Sequence, residues 1–98
     1  MSVFLIIDIA VKDPEKYSRY IHQVPEIIEK YGGCYYVRGG QVTPFAGDWH
    51  PERIIVVEFP NIERLQQCFQ SEEYLQLAPL REQSTITRAV VVEGYAPK

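Results

Sequence analysis

The sequence predicts an α+β domain whose strands and helices follow one another in the order β-α-β-β-α-β. Three observations carry this prediction. Stretches rich in β-branched residues alternate between two faces, other stretches repeat apolar residues every three or four positions, and proline or glycine separates them. This order is that of the split βαβ unit called ferredoxin-like, with an antiparallel sheet. Because 98 residues support one hydrophobic core, residues 1–98 are predicted to form a single domain.

The first strand and the first helix differ in their apolar period. Val3–Val11 is mostly apolar, interrupted at Asp8, and is predicted to be a strand. Asp13 then supplies an N-cap, and Pro14 suits the first helical position, where its missing N–H costs nothing. The helix itself is predicted from an apolar stripe at three- and four-residue spacing, made of Tyr17, Tyr20, Ile21, Val24, Ile28 and Tyr31.

Proline and glycine shape the second half of this helix. Pro25 lies inside it, and its missing N–H is predicted to remove the hydrogen bond to the Ile21 carbonyl and to bend the axis. Gly32 and Gly33 follow the last apolar position and are predicted to end the helix.

A β-hairpin is predicted to follow. Residues 34–45 are rich in tyrosine and valine and form its first strand, with a bulge indicated by Gly39 and Gly40. A loop over 48–51 leads to the second strand, Arg53–Phe59, whose centre is entirely β-branched.

The remaining chain predicts two helical pieces and a last strand. Asn61 is predicted to cap one helix, and Ser71 to cap a second, short helix that Pro79 disrupts. Residues 85–95 are predicted to be the fourth strand.

The two central strands predict a sheet whose second face is left bare by the helices. Asp8 and Glu58 lie on that face among apolar neighbours, namely Phe4, Ile6, Ile54 and Val56. Monomeric proteins seldom expose an apolar patch of this kind. The simplest cover is the same face of a second copy, so we predict a homodimer with a polar-lined cavity between its two sheets.

Composition argues against several kinds of partner. The formal net charge is −3 and the basic residues are scattered, which disfavours nucleic acid. The apolar amino-terminal run is too short to span a membrane, so a cytoplasmic location without membrane contact is predicted. Cys34 and Cys68 stand far apart, which predicts free thiols. No cofactor is predicted, and no residue spacing indicates a metal site.

Ordered short motifs run along nearly the whole chain: Asp13-Pro14, Tyr31-Gly32-Gly33, Arg38-Gly39-Gly40, Gly47-Asp48-Trp49, Pro51-Glu52-Arg53, Glu58-Phe59-Pro60 and Glu93-Gly94. In order and spacing they resemble the family called domain of unknown function 1330, within the dimeric α/β-barrel superfamily. The resemblance implies a ferredoxin-like protomer, a face-to-face dimer and an interior pocket. It implies no reaction and no catalytic residues.

The loop before the second hairpin strand holds one group of candidate ligand-binding residues. Trp49, His50 and Arg53 lie close together in sequence, and such a mixture can bind a small acid or move a proton. In the alternative interpretation Trp49 anchors the loop and the charged groups are solvated.

Charged residues of the sheet and of the second helical region form the other group of candidates. Arg38, beside two glycines, can bind an anion, or it can pair with Asp8 or Glu58 inside the dimer. Arg53, Arg81 and Arg88 are further cations available to these acids, and Arg53 and Arg81 are also candidates for binding a ligand.

Other reactive side chains are predicted to be structural. His22 stands alone on the first helix and is predicted to be a partly exposed histidine, not a heme or metal ligand. Six tyrosines can either line a pocket with their hydroxyls or pack in the core and interface, and core packing is favoured for the first two: Tyr17, Tyr20, Tyr35, Tyr36, Tyr74 and Tyr95. The cysteines have no neighbouring base and are not predicted to act as nucleophiles.

These residues are compatible with three functions. The first is a homodimer that binds a small organic acid or similar metabolite. The second is a cofactor-independent enzyme of monooxygenase or isomerase type, in which His50, Asp8 or Glu58 takes a proton and Arg38 stabilises the resulting charge. The third is a purely structural dimer.

Overall fold

The computed structural model describes residues 1–95, so the last three residues of the predicted domain lie outside the described part. Its elements are β1 (Val3–Val11), α1 (Pro14–Lys30), β2 (Cys34–Arg38), β3 (Arg53–Phe59), α2 (Ile62–Gln70), α3 (Glu72–Ser84) and β4 (Thr85–Glu93). The strands form one antiparallel sheet in the order β2-β3-β1-β4. The predicted ferredoxin-like fold is confirmed.

All three helices begin at the residues predicted to cap them. The side chains of Asp13, Asn61 and Ser71 each accept a hydrogen bond from the backbone N–H three residues further on, at 2.8 to 3.2 Å. Each bond satisfies an amide that the first turn of a helix leaves without a partner.

The core lies between the helices and one face of the sheet. Alternate residues of β1 and β3 point into it, and Val57 and Phe59 are completely buried there. Cys68 of α2 is also completely buried, and burial raises the pKa of its thiol to about 11. The thiol is therefore protonated near neutral pH and packs as a small apolar group.

Within residues 1–95, the other face of the sheet carries no helix. Ile6 of β1 is aligned with Val56 of β3 and Val90 of β4, so the three side chains share this face. Val90 is 58% exposed despite its apolar side chain. It belongs to β4, an edge strand rich in β-branched residues. We call this surface the bare face; its apolar members include Phe4, Ile6, Ile54, Val56, Ile86, Val90 and Val92.

The first hairpin strand is shorter than predicted. β2 ends at Arg38 instead of residue 45, because Gly39 adopts a positive φ of 75° and turns the chain out of the sheet. The irregularity assigned to the glycine pair lies earlier, where the register shifts between Tyr35 and Val37. The shift leaves Tyr36 as the extra residue of a bulge and returns Arg38 to the helix side of the sheet.

The third helix is longer than predicted, and the last strand is shorter. α3 continues through Pro79 to Ser84. Pro79 has no N–H to donate to the Leu75 carbonyl, but Leu75 is exposed, so water can donate to that carbonyl instead. β4 ends at Glu93 and not at Tyr95. The N–H of Gly94 then donates to the Ser2 carbonyl at 2.9 Å.

Candidate functional site

A cavity of about 200 Å³ lies inside the single chain, between the sheet and the helices. We call it the inner cavity. It lies on the opposite side of the sheet from the cavity predicted between two protomers. Apolar residues of the central strands line it, among them Leu5, Ile7 and Ile55. Its polar side chains are mainly arginines and tyrosines: Arg38, Arg53, Arg81, Tyr17, Tyr20, Tyr35 and Tyr74.

Arg53, at the start of β3, is fixed by α1 and by a glycine. Its Nε donates to the Tyr17 hydroxyl at 2.9 Å, and its guanidinium lies over the Tyr17 ring, 5.4 Å from the centroid. A side chain at Gly39 would collide with this guanidinium, so the glycine makes room for it as well as turning the chain. Its two outer guanidinium nitrogens make no hydrogen bond within residues 1–95 and are available for a ligand.

Arg38, at the end of β2, is fixed by the proline inside α1. Because Pro25 has no N–H, the Ile21 carbonyl loses its helical partner, and Arg38 Nη2 donates to that oxygen at 2.9 Å. The guanidinium also lies 5.1 Å from the centroid of the Tyr35 ring. The predicted effect of Pro25 on the hydrogen bond thus has a structural use, since it anchors a cation beside the inner cavity.

Two buried tyrosines and Arg81 form a third polar contact. The Tyr20 and Tyr74 hydroxyls lie 3.0 Å apart, and Arg81 Nε donates to the Tyr74 hydroxyl at 3.1 Å. Burial, aided by the neighbouring Tyr74, raises the pKa of Tyr20 well above its usual range. Burial also raises the pKa of Tyr35 to about 12. Both phenols therefore keep their protons near neutral pH and serve as hydrogen-bond donors.

The inner cavity has an excess of positive charge. Within residues 1–95, no carboxylate lies within 4.0 Å of the guanidinium groups of Arg38 or Arg53. Arg81 Nη2 is 4.0 Å from Glu82, a largely exposed acid. The residues that line the cavity include three arginines and no acid. Such a set of cations and donors beside apolar walls suits a small organic anion.

The other candidate residues lie on the bare face. Asp8 Oδ2 accepts hydrogen bonds from Trp49 Nε1 at 3.0 Å and from Arg88 Nη2 at 2.9 Å. Trp49 therefore anchors its loop to β1, in agreement with the alternative interpretation in which this residue holds the loop in place. His50 and Arg88 border the same shallow hollow as Asp8 and Trp49.

The sheet separates the predicted site residues into two groups. Arg38, Arg53 and Arg81 border the inner cavity, whereas Asp8, Trp49 and His50 lie at the other face. Glu58 also lies on the bare face, where it accepts a hydrogen bond from the Tyr36 hydroxyl at 2.8 Å. The hypothesis that Arg38 pairs with Asp8 or Glu58 does not hold within the chain, because the bulge in β2 directs Arg38 to the helix side.

The sequence favours core packing for Tyr17 and Tyr20 over a role in lining a pocket. Tyr17 and Tyr20 are indeed buried, but their hydroxyls also bind Arg53 and Tyr74. A signal was present, since an apolar helix stripe that uses tyrosine where phenylalanine would pack equally well indicates partners for the hydroxyls. His22 is exposed and bonds only within its own helix, to Ser18.

The contact between Asp8 and Trp49 predicts a pH-dependent stability. The Trp49 hydrogen bond, together with Arg88, holds the pKa of Asp8 below its usual value. A lowered pKa stabilises the fold above the unfolded-state value of about 3.9, and this contribution is lost as the pH falls through the folded-state value. Asp8→Asn should therefore lower the melting temperature at neutral pH, with the difference from wild type narrowing as the pH falls below the unfolded-state pKa of about 3.9.

The matched control for this measurement is Asp48→Asn in the same loop. The Asp48 side chain is fully exposed, and its contact with His50 spans 3.7 Å. The melting temperature of the Asp48→Asn variant should follow that of the wild type at every pH. A constant difference between Asp8→Asn and wild type across the titration would contradict the assignment.

Fold and site together define a ferredoxin-like α+β domain with a cationic cavity under its helices. A family model, domain of unknown function (DUF1330), matches residues 2–95. The chain belongs to this family, and the resemblance stated from its motifs is confirmed. No curated protein matches the chain. Among residues 1–95, no helix is long and apolar enough to cross a membrane, and no group of three metal-binding side chains occurs.

Solved structures with low sequence identity share the fold. A protein of unknown function from Rhodopseudomonas palustris is 14% identical, with a TM-score of 0.82 over 98% of this chain and 84% of that one. SnoaB, a cofactor-independent oxygenase from Streptomyces nogalater, is 9% identical, with a TM-score of 0.71 over 98% of this chain and 95% of its own. A de novo designed protein, Foldit4, is also similar, with a TM-score of 0.61 and 13% identity over 97% of this chain and 100% of that one. At these identities the likeness concerns the fold alone.

Proposed function

We propose that this protein is a homodimer that binds a small organic acid in the inner cavity of each protomer. The observation that carries the proposal is the pair Arg38 and Arg53, two guanidinium groups beside an apolar cavity without a carboxylate partner among the described residues. Arg38 is exposed and Arg53 is half-buried, and no acid of residues 1–95 neutralises either guanidinium group, so an anion can pair with both. A carboxylate accepts from guanidinium groups in a planar, charge-assisted geometry.

The size of the inner cavity limits the ligand. An apolar cavity of about 150 Å³ is large enough for one benzene molecule. The inner cavity has about 200 Å³ and both apolar and cationic walls. It therefore suits an acid with one aromatic ring or a chain of similar volume, such as benzoate.

The bare face supports the dimer. Its apolar residues include Ile86 and Val90, each 58% exposed, and Val92, 47% exposed. A second copy would bury this surface by a two-fold contact, in which both copies use the same patch of residues. The helices and the inner cavity lie on the far side of the sheet and stay accessible in such a dimer.

The binding proposal is tested by calorimetric titration with benzoate and two probes of the same shape, benzyl alcohol and benzylamine. Benzoate is expected to bind, and its affinity should fall as salt is added, because the attraction involves charged groups. Benzyl alcohol should bind at least about tenfold more weakly, and benzylamine should not bind. Equal binding of benzoate and benzyl alcohol, or no binding of benzoate, would contradict the proposal.

A second candidate function is a cofactor-independent enzyme of monooxygenase or isomerase type, and the likeness to SnoaB favours it. Two features favour ligand binding over catalysis. Asp8, Glu58 and His50, suggested as bases, lie away from the inner cavity, and Tyr20 retains its proton. The lining of the inner cavity contains no carboxylate and no imidazole to take a proton.

A further inference from the structure

The two tyrosines of α1 that border the inner cavity direct their hydroxyls to different elements. The Tyr17 hydroxyl meets Arg53 of β3, while the Tyr20 hydroxyl meets Tyr74 of α3. The two rings lie side by side, with centroids 6.1 Å apart and planes inclined by 24°. The cavity therefore has two polar clusters, which we call the strand-side cluster (Arg38, Arg53 and Tyr17) and the helix-side cluster (Tyr20, Tyr74 and Arg81).

The helix-side cluster has one hydrogen-bond donor more than it uses within residues 1–95. Each phenol has one hydrogen to donate, so Tyr20 and Tyr74 together have two. One of them lies in the bond between the two hydroxyls, and the Tyr74 oxygen accepts a separate hydrogen from Arg81 Nε. Whichever tyrosine donates to the other, one hydroxyl hydrogen has no acceptor among the hydrogen bonds of residues 1–95. A buried donor of this kind favours a ligand that brings an acceptor.

The two clusters differ in charge. The strand-side cluster has two guanidinium groups with no acid near them, which suits a carboxylate. In the helix-side cluster Glu82 lies 4.0 Å from the single guanidinium and offsets part of its charge. A neutral oxygen, such as that of a ketone or hydroxyl group, is therefore enough to complete the helix-side cluster.

We infer that the ligand of the inner cavity is a small oxo or hydroxy acid, whose carboxylate binds Arg38 and Arg53 and whose second oxygen accepts from the cluster of Tyr20, Tyr74 and Arg81. The inference rests on the proposed function and narrows its ligand class. Between the two polar ends the ligand is apolar, since Leu5, Ile7, Ile55 and other apolar side chains line the cavity.

The test compares acids that differ by one oxygen at constant charge. Benzoate is paired with 4-hydroxybenzoate as a rigid pair, and heptanoate with 6-oxoheptanoate as a flexible pair that adapts to the distance between the clusters. In calorimetric titration of the full chain, the oxygenated member of at least one pair is expected to bind about tenfold more tightly, the gain of one buried hydrogen bond.

The Tyr20→Phe/Tyr74→Phe variant removes both hydroxyls together, so that neither is left without its partner. It should reduce the oxygen preference, the ratio of affinities within a pair measured on the same variant, to about onefold. Tyr36→Phe, which removes a hydroxyl from the bare face, is the matched control and should keep the full preference. If circular dichroism shows that the double variant does not fold, Tyr20→Phe/Tyr74→Met, which also removes both hydroxyls and places a flexible apolar side chain on α3, replaces it with the same expected loss of preference.

The outcomes separate the two proposals. If benzoate binds to the wild type but neither pair shows an oxygen preference, the ligand class is wrong and the proposed function stands. A preference that survives in the folded double variant also overturns the role of the helix-side cluster. If none of the four acids binds, the proposed function fails together with this inference.

Discussion

Replacing both Arg38 and Arg53 with methionine is expected to weaken benzoate binding by at least about a hundredfold, because each charge-assisted hydrogen bond contributes about 1.5 to 3 kcal/mol. Methionine keeps much of the length and apolar contact of the arginine stem, so the change removes mainly charge and donors. Calorimetric titration of the variant and the wild type under the same salt conditions measures the difference.

The same variant should still fold, with a lower melting temperature than the wild type. The lost bonds to Ile21 and Tyr17 have charged donors and contribute at most about 1.5 to 3 kcal/mol each, and Arg38 is exposed while Arg53 is half-buried. Arg19→Met/Arg64→Met makes the same change in net charge away from the inner cavity and should retain binding. If this control loses affinity equally, the effect is one of overall charge and the assignment of the site is wrong.

The substitution Val90→Glu on the bare face is expected to convert a dimer into a monomer. Val90 lies midway along the edge strand β4, aligned with Ile6 on the bare face, and in a face-to-face dimer the carboxylate introduced there would be buried without a partner. Burying an unpaired charge costs several kcal/mol, enough to weaken a dimer by two or more orders of magnitude. Light scattering at micromolar concentration should give twice the 11.4 kDa chain mass for wild type and one chain mass for Val90→Glu.

Leu75→Glu provides the matched control for the dimer. Leu75 lies on α3 and is 57% exposed, almost as much as Val90, but it is not on the bare face. The Leu75→Glu variant should keep the mass of the wild type. A wild-type protein that scatters as a single chain would refute the homodimer, and dissociation of both variants would show that the bare face is not the contact.

Local chemistry made the elements of this fold predictable. Asp13, Asn61 and Ser71 cap their helices because their short polar side chains reach the free amides of the first turn. Other boundaries depend on solvent and tertiary context. Pro79 does not end α3, since the carbonyl it leaves free is at an exposed residue, and Gly39 ends β2 through a positive φ that sequence alone indicates only as a bulge.

The candidate site was less predictable than the elements. Arg38, Arg53 and Arg81 were selected as available cations, but which face of the sheet Arg38 occupies depends on the bulge at Tyr36. A one-residue change of register moves a side chain from one face to the other. Alternation along β1 and β3 placed Asp8 and Glu58 correctly on the bare face, yet it could not show that Trp49 folds across the sheet to reach Asp8.

The most direct test of the central claim is a crystal structure grown with saturating benzoate. The account predicts one benzoate in the inner cavity of each protomer, with its carboxylate oxygens within hydrogen-bonding distance of the Arg38 and Arg53 guanidinium groups. An inner cavity closed by side chains, or benzoate bound instead in the hollow beside Trp49 and His50 on the bare face, would contradict it.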